Sequence, residues 1–270
     1  MARRARESGF TLVEAIVVIV ITGIIAGMVA VFIRSPIDAY VDTARRAMLA
    51  DIADTAARRI ARDLQAALPN SVRVDATGQF LEFVPVLAAG RYRAEKGVAG
   101  DDPLDFTDGD DTSFQVLGPA VTVPPGSSLV VYNLGISGAD VYETALSVRR
   151  AATAGNNLNT VSFTKTGTPL PFPSPGSRFQ IVGTPVSYVC AGDRLARYAG
   201  YGFPSPSTAT PTTVFGATVP DTLATRVTAC RFAYGPGPLQ RNALVSILLT
   251  LAQDGESVTL QHQVNVDNVP

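Results

Sequence analysis

The sequence has no tryptophan, a single histidine and only two cysteines among its 270 residues. Zinc sites built from four cysteines, or from paired cysteines and histidines, are therefore excluded, and a catalytic triad would have to use His262. Charged residues make up 17% of the chain, and a net charge of -1 lacks the basic excess of a general nucleic-acid binder. The composition thus favours neither an enzyme nor a nucleic-acid partner.

What the sequence does have is one long apolar run near its N-terminus. Residues 1–7 include three arginines and one acid. The apolar run that follows, 10–33, contains a single charged residue, Glu14. From Ala15 onward nineteen residues are uncharged, and as a helix rising about 1.5 Å per residue they come close to the roughly 30 Å of a bilayer core. The preceding arginines predict a single pass with a cytoplasmic N-terminus.

A cleaved secretory signal is the alternative interpretation, with small residues at 26–30 as its cleavage site. The apolar region of such a signal is normally about 7–15 residues long, which is shorter than this run, and it gains nothing from an acid. A carboxylate in lipid costs roughly 2.5–3.5 kcal/mol at a helix centre, and less near the interface. We therefore expect Glu14 to have a positively charged partner.

Residues 9–14, Gly-Phe-Thr-Leu-Val-Glu, lie between the basic leader and the apolar helix. This segment resembles the class III signal of type IV pilins and type II secretion pseudopilins. The resemblance implies that a prepilin peptidase cleaves after Gly9 and that Phe10 becomes the N-methylated first residue. It also implies that Glu14 meets the new α-amine of a neighbouring subunit, and a buried negative charge is tolerable where a positive group reaches it.

Residues 40–51 and 59–74 extend the resemblance to the minor pilins of the mannose-sensitive haemagglutinin (MSHA) pilus and, more loosely, to the J-type minor pseudopilin of type II secretion. The implied function is pilus biogenesis in an initiating or tip complex. The implied partners are the prepilin peptidase, other major and minor pilins and an inner-membrane assembly platform. The implied location is the bacterial inner membrane, with the C-terminal domain in the periplasm, and then the pilus or pseudopilus. No cofactor is implied.

Gly23 and Gly27 form a G-x-x-x-G pair within the apolar run. This spacing lets two helices approach closely in lipid, but glycine is also common in spanning helices generally. Packing of the helix into a bundle and an incidental pair both remain open.

A second helical segment follows the apolar run. Apolar residues recur at steps of three or four from Ile37 to Ala67, while arginines and aspartates alternate on the rest of the surface. That alternation favours a solvated face over a nucleic-acid contact. Pro36 should bend or interrupt the helix just beyond the membrane, because it lacks an N–H and its ring clashes with the preceding turn.

The predicted fold class is α+β, with one long N-terminal helix packed on an antiparallel β-sheet domain, as in pilins. Most prolines and glycines follow residue 69, where short runs alternate between apolar and polar residues. The expected organisation is a leader over 1–9, a transmembrane helix over 10–33, an amphipathic helix over 34–68 and a β-rich domain over 69–270. Strands are predicted at 80–86, 128–134, 141–148, 160–164, 179–182, 186–190, 194–198, 226–234, 243–252 and 256–266.

The last two strands are expected to form a hairpin whose register follows from its turn. Asp254-Gly255 suits a two-residue type I′ turn, which pairs Leu249 with Leu260 and Ile247 with His262. The same register pairs Leu251 with Val258 and Val245 with Val264 on that face, so His262 lies among aliphatic residues. His262 is therefore predicted to be a hydrogen-bonded core residue rather than a catalyst.

Cys190 and Cys230 lie on two predicted strands, and export would place them in an oxidising compartment. We expect a disulfide between them. A redox-active pair is the alternative, but their separation is nothing like the C-x-x-C spacing of such sites.

Six aspartates fall within residues 101–111. Calcium is one interpretation, with Asp105, Asp108 and Asp110 as weak candidate ligands. An EF-hand loop aligned on Gly109 would place apolar residues at ligand positions, so that motif fails. A solvated acidic loop is favoured, and no metal is expected.

Two further functions stay open beside the structural one. A tip adhesin should show an aromatic or polar recognition site, and aromatic residues make up only 7% of this chain. A membrane-anchored periplasmic enzyme would need a catalytic constellation, and none is found in the sequence.

Overall fold

The computed structural model describes residues 9–143, 148–203, 215–236 and 242–270. The chain divides into two units, residues 1–48 and 49–270. One helix, α1, spans Leu12–Gln65. The strands are β1 Arg73–Val74, β2 Phe80–Phe83, β3 Val86–Tyr92, β4 Ser113–Leu117, β5 Val121–Val123, β6 Ser128–Val130, β7 Arg149–Ala151, β8 Gly155–Leu158, β9 Thr160–Ser162, β10 Arg178–Val182, β11 Val186–Ala191, β12 Arg194–Ala199, β13 Asp221–Thr225, β14 Val227–Pro236, β15 Asn242–Gln253 and β16 Glu256–Asp267.

The first unit holds the apolar part of α1. Pro36 lies inside the helix, so the interruption predicted there does not occur. Proline removes one backbone hydrogen bond, which is a small part of the hydrogen bonding of a helix of 54 residues.

In the second unit, the last part of α1 buries a single stripe against the strands. The buried residues recur at steps of three or four, as the spacing of apolar residues in the sequence predicts. They are Leu49, Ala53, Ala56, Ala57, Ile60 and Leu64. The small alanines in this stripe let the helix lie close to the core residues of β2, β11 and β15.

The strands form four antiparallel sheets among the described residues. The strand orders are β1-β2-β11-β12-β13, β7-β6-β10-β3-β4-β9, β14-β15-β16 and β5-β8. The first and third sheets share one core with α1. A second core, which includes Tyr92, Phe114 and Phe179, is built on the six-stranded sheet. The predicted α+β class, a long helix followed by antiparallel sheets, is confirmed.

The register predicted for the last hairpin is also confirmed. Asp254 and Gly255 both have positive φ angles, 49° and 88°, as a type I′ turn requires. Leu249 lies opposite Leu260, and Ile247 lies opposite His262. The prediction for His262 was wrong in two respects: the side chain is only half-buried, and no hydrogen bond to it is found within the described ranges.

The strand predicted at 141–148 was wrong over the part that can be described. Val141 and Tyr142 are buried, but they lie in a turn rather than a strand. Their backbone N–H groups are bound by side chains, at 2.8 Å from Asn133 Oδ1 and 3.0 Å from Asp140 Oδ1. Residues 144–147 lie outside the described residues. Side-chain acceptors have replaced the ladder partner that the apolar pattern suggested.

Two polar groups attach α1 to the five-stranded sheet. The Asp63 carboxylate accepts hydrogen bonds from Tyr188 Oη at 2.7 Å and from Arg197 Nε at 3.0 Å. It also forms an ion pair with Arg59, one turn earlier in the helix. Burial, together with the hydrogen bond to Asp63, raises the pKa of Tyr188, so its hydroxyl remains a donor at any physiological pH. These contacts fix the rotation of the helix on the sheet.

Candidate functional site

The start of α1 has a helix-capping arrangement. Thr11 Oγ1 accepts the N–H of Glu14 at 3.3 Å, and the Thr11 carbonyl accepts the N–H of Ala15 at 3.2 Å. Threonine followed three residues later by glutamate is the pattern of a capping box. Sequence reasoning missed this role of Thr11, although the spacing was present. The cap explains why the helix begins at Leu12.

Glu14 therefore has a second, local function in the first turn of the helix. A negative side chain near a helix N-terminus interacts favourably with the helix dipole, by about 0.3–1 kcal/mol at exposed positions. Its carboxylate is exposed, and it is the only acid of the turn. At a helix centre in lipid a carboxylate costs roughly 2.5–3.5 kcal/mol, and this gain would not offset a cost of that size.

The bond between Gly9 and Phe10 precedes the helix. Both residues have non-helical backbone, and the Phe10 side chain is 73% exposed. A scissile bond must be reached as an accessible, non-helical segment, and this one meets that requirement. Residues 1–8 of the expected leader lie outside the described residues.

The helix surface after Glu14 is apolar on every side. In its most apolar window of eighteen residues the mean hydropathy is 3.0, and none of that window is buried. A helix that is apolar all round needs lipid or other helices around it. Among the described residues this is the one helix long and apolar enough to cross a membrane, so the first unit is compatible with a single-pass anchor.

Gly23 and Gly27 lie one turn apart within this surface. Apart from the neighbouring residues and backbone of the helix itself, no atom stands within 4 Å of the position that a Cβ would take at either residue. The space beside them is open, as a close helix neighbour would require.

Cys190 and Cys230 are joined by a disulfide, with their Cα atoms 5.8 Å apart. Cys190 is in β11 and Cys230 in β14, so the bond links the five-stranded sheet to the three-stranded one. Both side chains are half-buried against the core that these sheets share. The bond thus joins the two sheets beside the core that both of them share with α1.

The candidate calcium ligands already have partners in the folded chain. Asp105 Oδ1 accepts hydrogen bonds from the N–H and hydroxyl of Thr107, at 2.7 and 2.6 Å. Asp108 Oδ1 accepts the N–H of Asp110, and the Asp110 carboxylate forms an ion pair with Lys165 at 2.8 Å. Across the described ranges no group of three or more acidic, histidine or cysteine residues is placed to hold a metal ion.

Hydrogen bonds stabilise the charged form of two of the aspartates in residues 101–111. The Thr107 hydroxyl, followed by the Thr107 N–H, lowers the pKa of Asp105. The N–H of Val98 lowers the pKa of Asp101, with help from the N–H of Gly97 and the charge of Arg93. These are the contacts of a folded acidic loop.

Comparison with known proteins assigns the N-terminal segment and no other part of the chain. Residues 4–30 match the family model of the prokaryotic N-terminal methylation motif. No curated protein and no solved structure matches the chain. The match includes the Gly9–Phe10 bond, Glu14 and both glycines of the apolar run, so the chain carries the N-terminal methylation motif of type IV pilin-like proteins.

Proposed function

We propose that this protein is a minor pilin or pseudopilin, similar to the minor pilin MshO of the MSHA pilus, that takes part in pilus biogenesis. The observation that carries the proposal is the exposed Gly9–Phe10 bond followed by Glu14 on a fully exposed apolar helix. A plain membrane anchor accounts for the apolar helix, but for the acid it offers only the small gain from the helix dipole.

In the proposed mechanism, a prepilin peptidase hydrolyses the bond after Gly9 and frees the α-amine of Phe10, which is then methylated. The chain stays in the inner membrane, and its second unit lies in the periplasm. In the growing filament the Glu14 carboxylate pairs with the amine of an adjacent subunit. That pairing offsets the cost of the acid in an apolar surrounding, so a correctly packed neighbour is preferred over lipid.

The size of the second unit supports a rare position in the filament. The described part of residues 49–270 contains three cores and four sheets. Repeated at every step of a fibre, so large a unit would crowd its neighbours, whereas at the start or tip the crowding is relieved. The proposed partners are therefore other minor and major pilins and the inner-membrane assembly platform. The J-type pseudopilin of type II secretion is the alternative that shares the same N-terminal chemistry.

Substitution of Glu14 tests the proposal. In a strain that lacks the native gene, Glu14→Leu should insert into the membrane at normal levels but be absent from purified filaments. Glu14→Asp, which keeps the charge, is the matched control and should still be incorporated. Normal incorporation of Glu14→Leu would contradict the pairing. Filaments normal in number but unable to attach, in the deletion strain, would instead favour a tip adhesin.

A further inference from the structure

The strand β16 forms an open edge of the three-stranded sheet in the second unit. Within the described ranges β16 pairs with β15 on one side and with no strand on the other. The opposite edge of the sheet is closed, because β14 donates backbone hydrogen bonds out of the sheet. The Phe232 N–H binds the Gly78 carbonyl at 2.6 Å, and the Val227 N–H binds the Asp193 carbonyl at 2.9 Å.

The direction of these bonds fixes which groups of β16 point outward. Phe232 lies opposite Ile247, which in turn lies opposite His262. Because the Phe232 N–H points away from β15, the backbone groups of Ile247 point toward β16 and bind His262. Alternate residues of β16 then direct their backbone N–H and C=O groups to the free side. These are Ser257, Thr259, Gln261, Gln263 and Asn265.

This edge lacks the features that normally prevent strands from pairing. Long edges are usually protected by bulges, prolines or lysines, or else the edge strand is short. The twelve residues of β16 pair with β15 without a register shift and contain neither proline nor lysine. Its acids, Glu256 and Asp267, stand at its two ends. By contrast, the edge strands β7 and β9 of the six-stranded sheet have three residues each.

The inner face of the sheet is incompletely covered along this edge. Leu249 and Ile247 on β15 are fully buried, whereas Leu260 and His262, their partners on β16, are half-buried. One more strand beside β16 would cover these side chains and bind the outward backbone groups. The sheet therefore has both polar and apolar groups unsatisfied on the same side.

The sequence of β16 is complementary to its own reverse about His262. Around that centre glutamine faces glutamine, and the next positions bring leucine opposite valine and threonine opposite asparagine. An antiparallel copy in this register places residue 261 opposite 263 and residue 257 opposite 267. The outward backbone groups then fall opposite one another, because residues of the same parity meet. No two acids are opposed, so the backbone groups of the two copies can pair without repulsion between like charges.

We propose that two copies of this chain associate through their β16 strands, antiparallel and centred on His262. The product is a continuous six-stranded sheet with a two-fold axis at the histidine pair. Because the β14 edges are closed, no third copy can add, and the assembly stops at a dimer. The proposal concerns residues 49–270 and does not rest on the function of the N-terminal segment.

Cysteine cross-linking of the full chain in detergent micelles tests the register. Position 262 is the one place where a residue lies opposite itself. The two copies meet there as a non-hydrogen-bonded pair, so their Cβ atoms lie at the close end of the cross-strand range, about 4.5 Å apart. Two Ser257 residues would lie about 33 Å apart, ten residues at about 3.3 Å each. Oxidised His262→Cys should therefore give at least about tenfold more covalent dimer than Ser257→Cys, since disulfides need Cβ atoms within about 4.5 Å.

Both variants carry the same N-terminal helix, so association of that helix affects them equally. Peptide mapping must show a 262–262 link, with the native disulfide intact. Equal cross-linking at the two positions, or no dimer at either, would overturn the proposal.

A second pair of variants separates edge pairing from stacking of sheet faces. Gln261→Pro removes one outward N–H, and proline is tolerated on a strand edge where that group faces solvent. It should abolish the cross-link through an added His262→Cys. Leu248→Lys puts a charge on the exposed outer face of β15, one strand from the edge, and should leave the cross-link unchanged. The reverse result would show that the copies stack through the sheet face and would refute edge pairing.

Discussion

Loss of the disulfide should destabilise the second unit strongly. Cys190 and Cys230 are 40 positions apart, and their bond links β11 to β14. The chain-entropy relation gives about 4 kcal/mol at 25 °C for a loop of this length. Few other links between these two strands would replace it, because β11 and β14 belong to different sheets.

The change can be measured by urea unfolding of the full chain in mild detergent. Near-ultraviolet circular dichroism of the eight tyrosines reports the packing of the cores. With a denaturant dependence of about 2 kcal/mol per M, the loss of about 4 kcal/mol should lower the unfolding midpoint by about 2 M. The double variant Cys190→Ser/Cys230→Ser and the reduced wild type should give the same midpoint.

The matched control is the double variant treated with reductant, which should show no further change. If reduction leaves the wild-type midpoint where it was, the bond does not constrain the unfolded chain and the reasoning fails. If the serine variant falls and the reduced wild type does not, the loss comes from packing of the substituted side chains instead.

Two further predictions concern acidic side chains. Asp63→Ala leaves Arg197 and Tyr188 without their acceptor and should lower the free energy of unfolding by about 2–3 kcal/mol in the same assay. The control is Asp54→Ala, whose partner is a mostly exposed arginine, and it should cost about 0.5 kcal/mol or less. Equal losses would contradict the role of Asp63 in attaching the helix to the sheet. Calcium should leave the thermal midpoint unchanged, because the carboxylates around Asp105 already bind their own loop; a rise that a chelator reverses would show that the loop opens to take the ion.

The parts of the fold that were predictable are those governed by local sequence. The hairpin register followed from two turn residues and the alternation of side chains, which act independently and agree. The helix stripe followed from its period. The continuation of α1 through Pro36 did not, because one proline removes only one hydrogen bond from a helix of 54 residues.

The parts that escaped prediction depend on contacts between distant residues. β3 contains Ala88, Ala89 and Gly90, which give no strand signal, and it becomes a strand because it pairs with β10. Gly90 is needed there, since a Cβ would meet the Phe179 ring at 2.8 Å. The sequence of β3 alone does not predict its pairing with β10.

At the N-terminus the situation is reversed. The expected cleavage bond, the acid and the glycine pair all come from a short local motif, and the match to residues 4–30 covers the same segment. Only the capping function of Thr11 escapes prediction there, because the charge of the acid three residues later already suggests a different role for it.

The central claim is that this chain is processed as a pilin, and the mass of its N-terminal peptide tests it most directly. After co-expression with a prepilin peptidase, the account predicts a mature chain that begins at Phe10 and carries one added methyl group. A chain that still begins at Met1, or one cut near residues 26–30 by an ordinary signal peptidase, would contradict it.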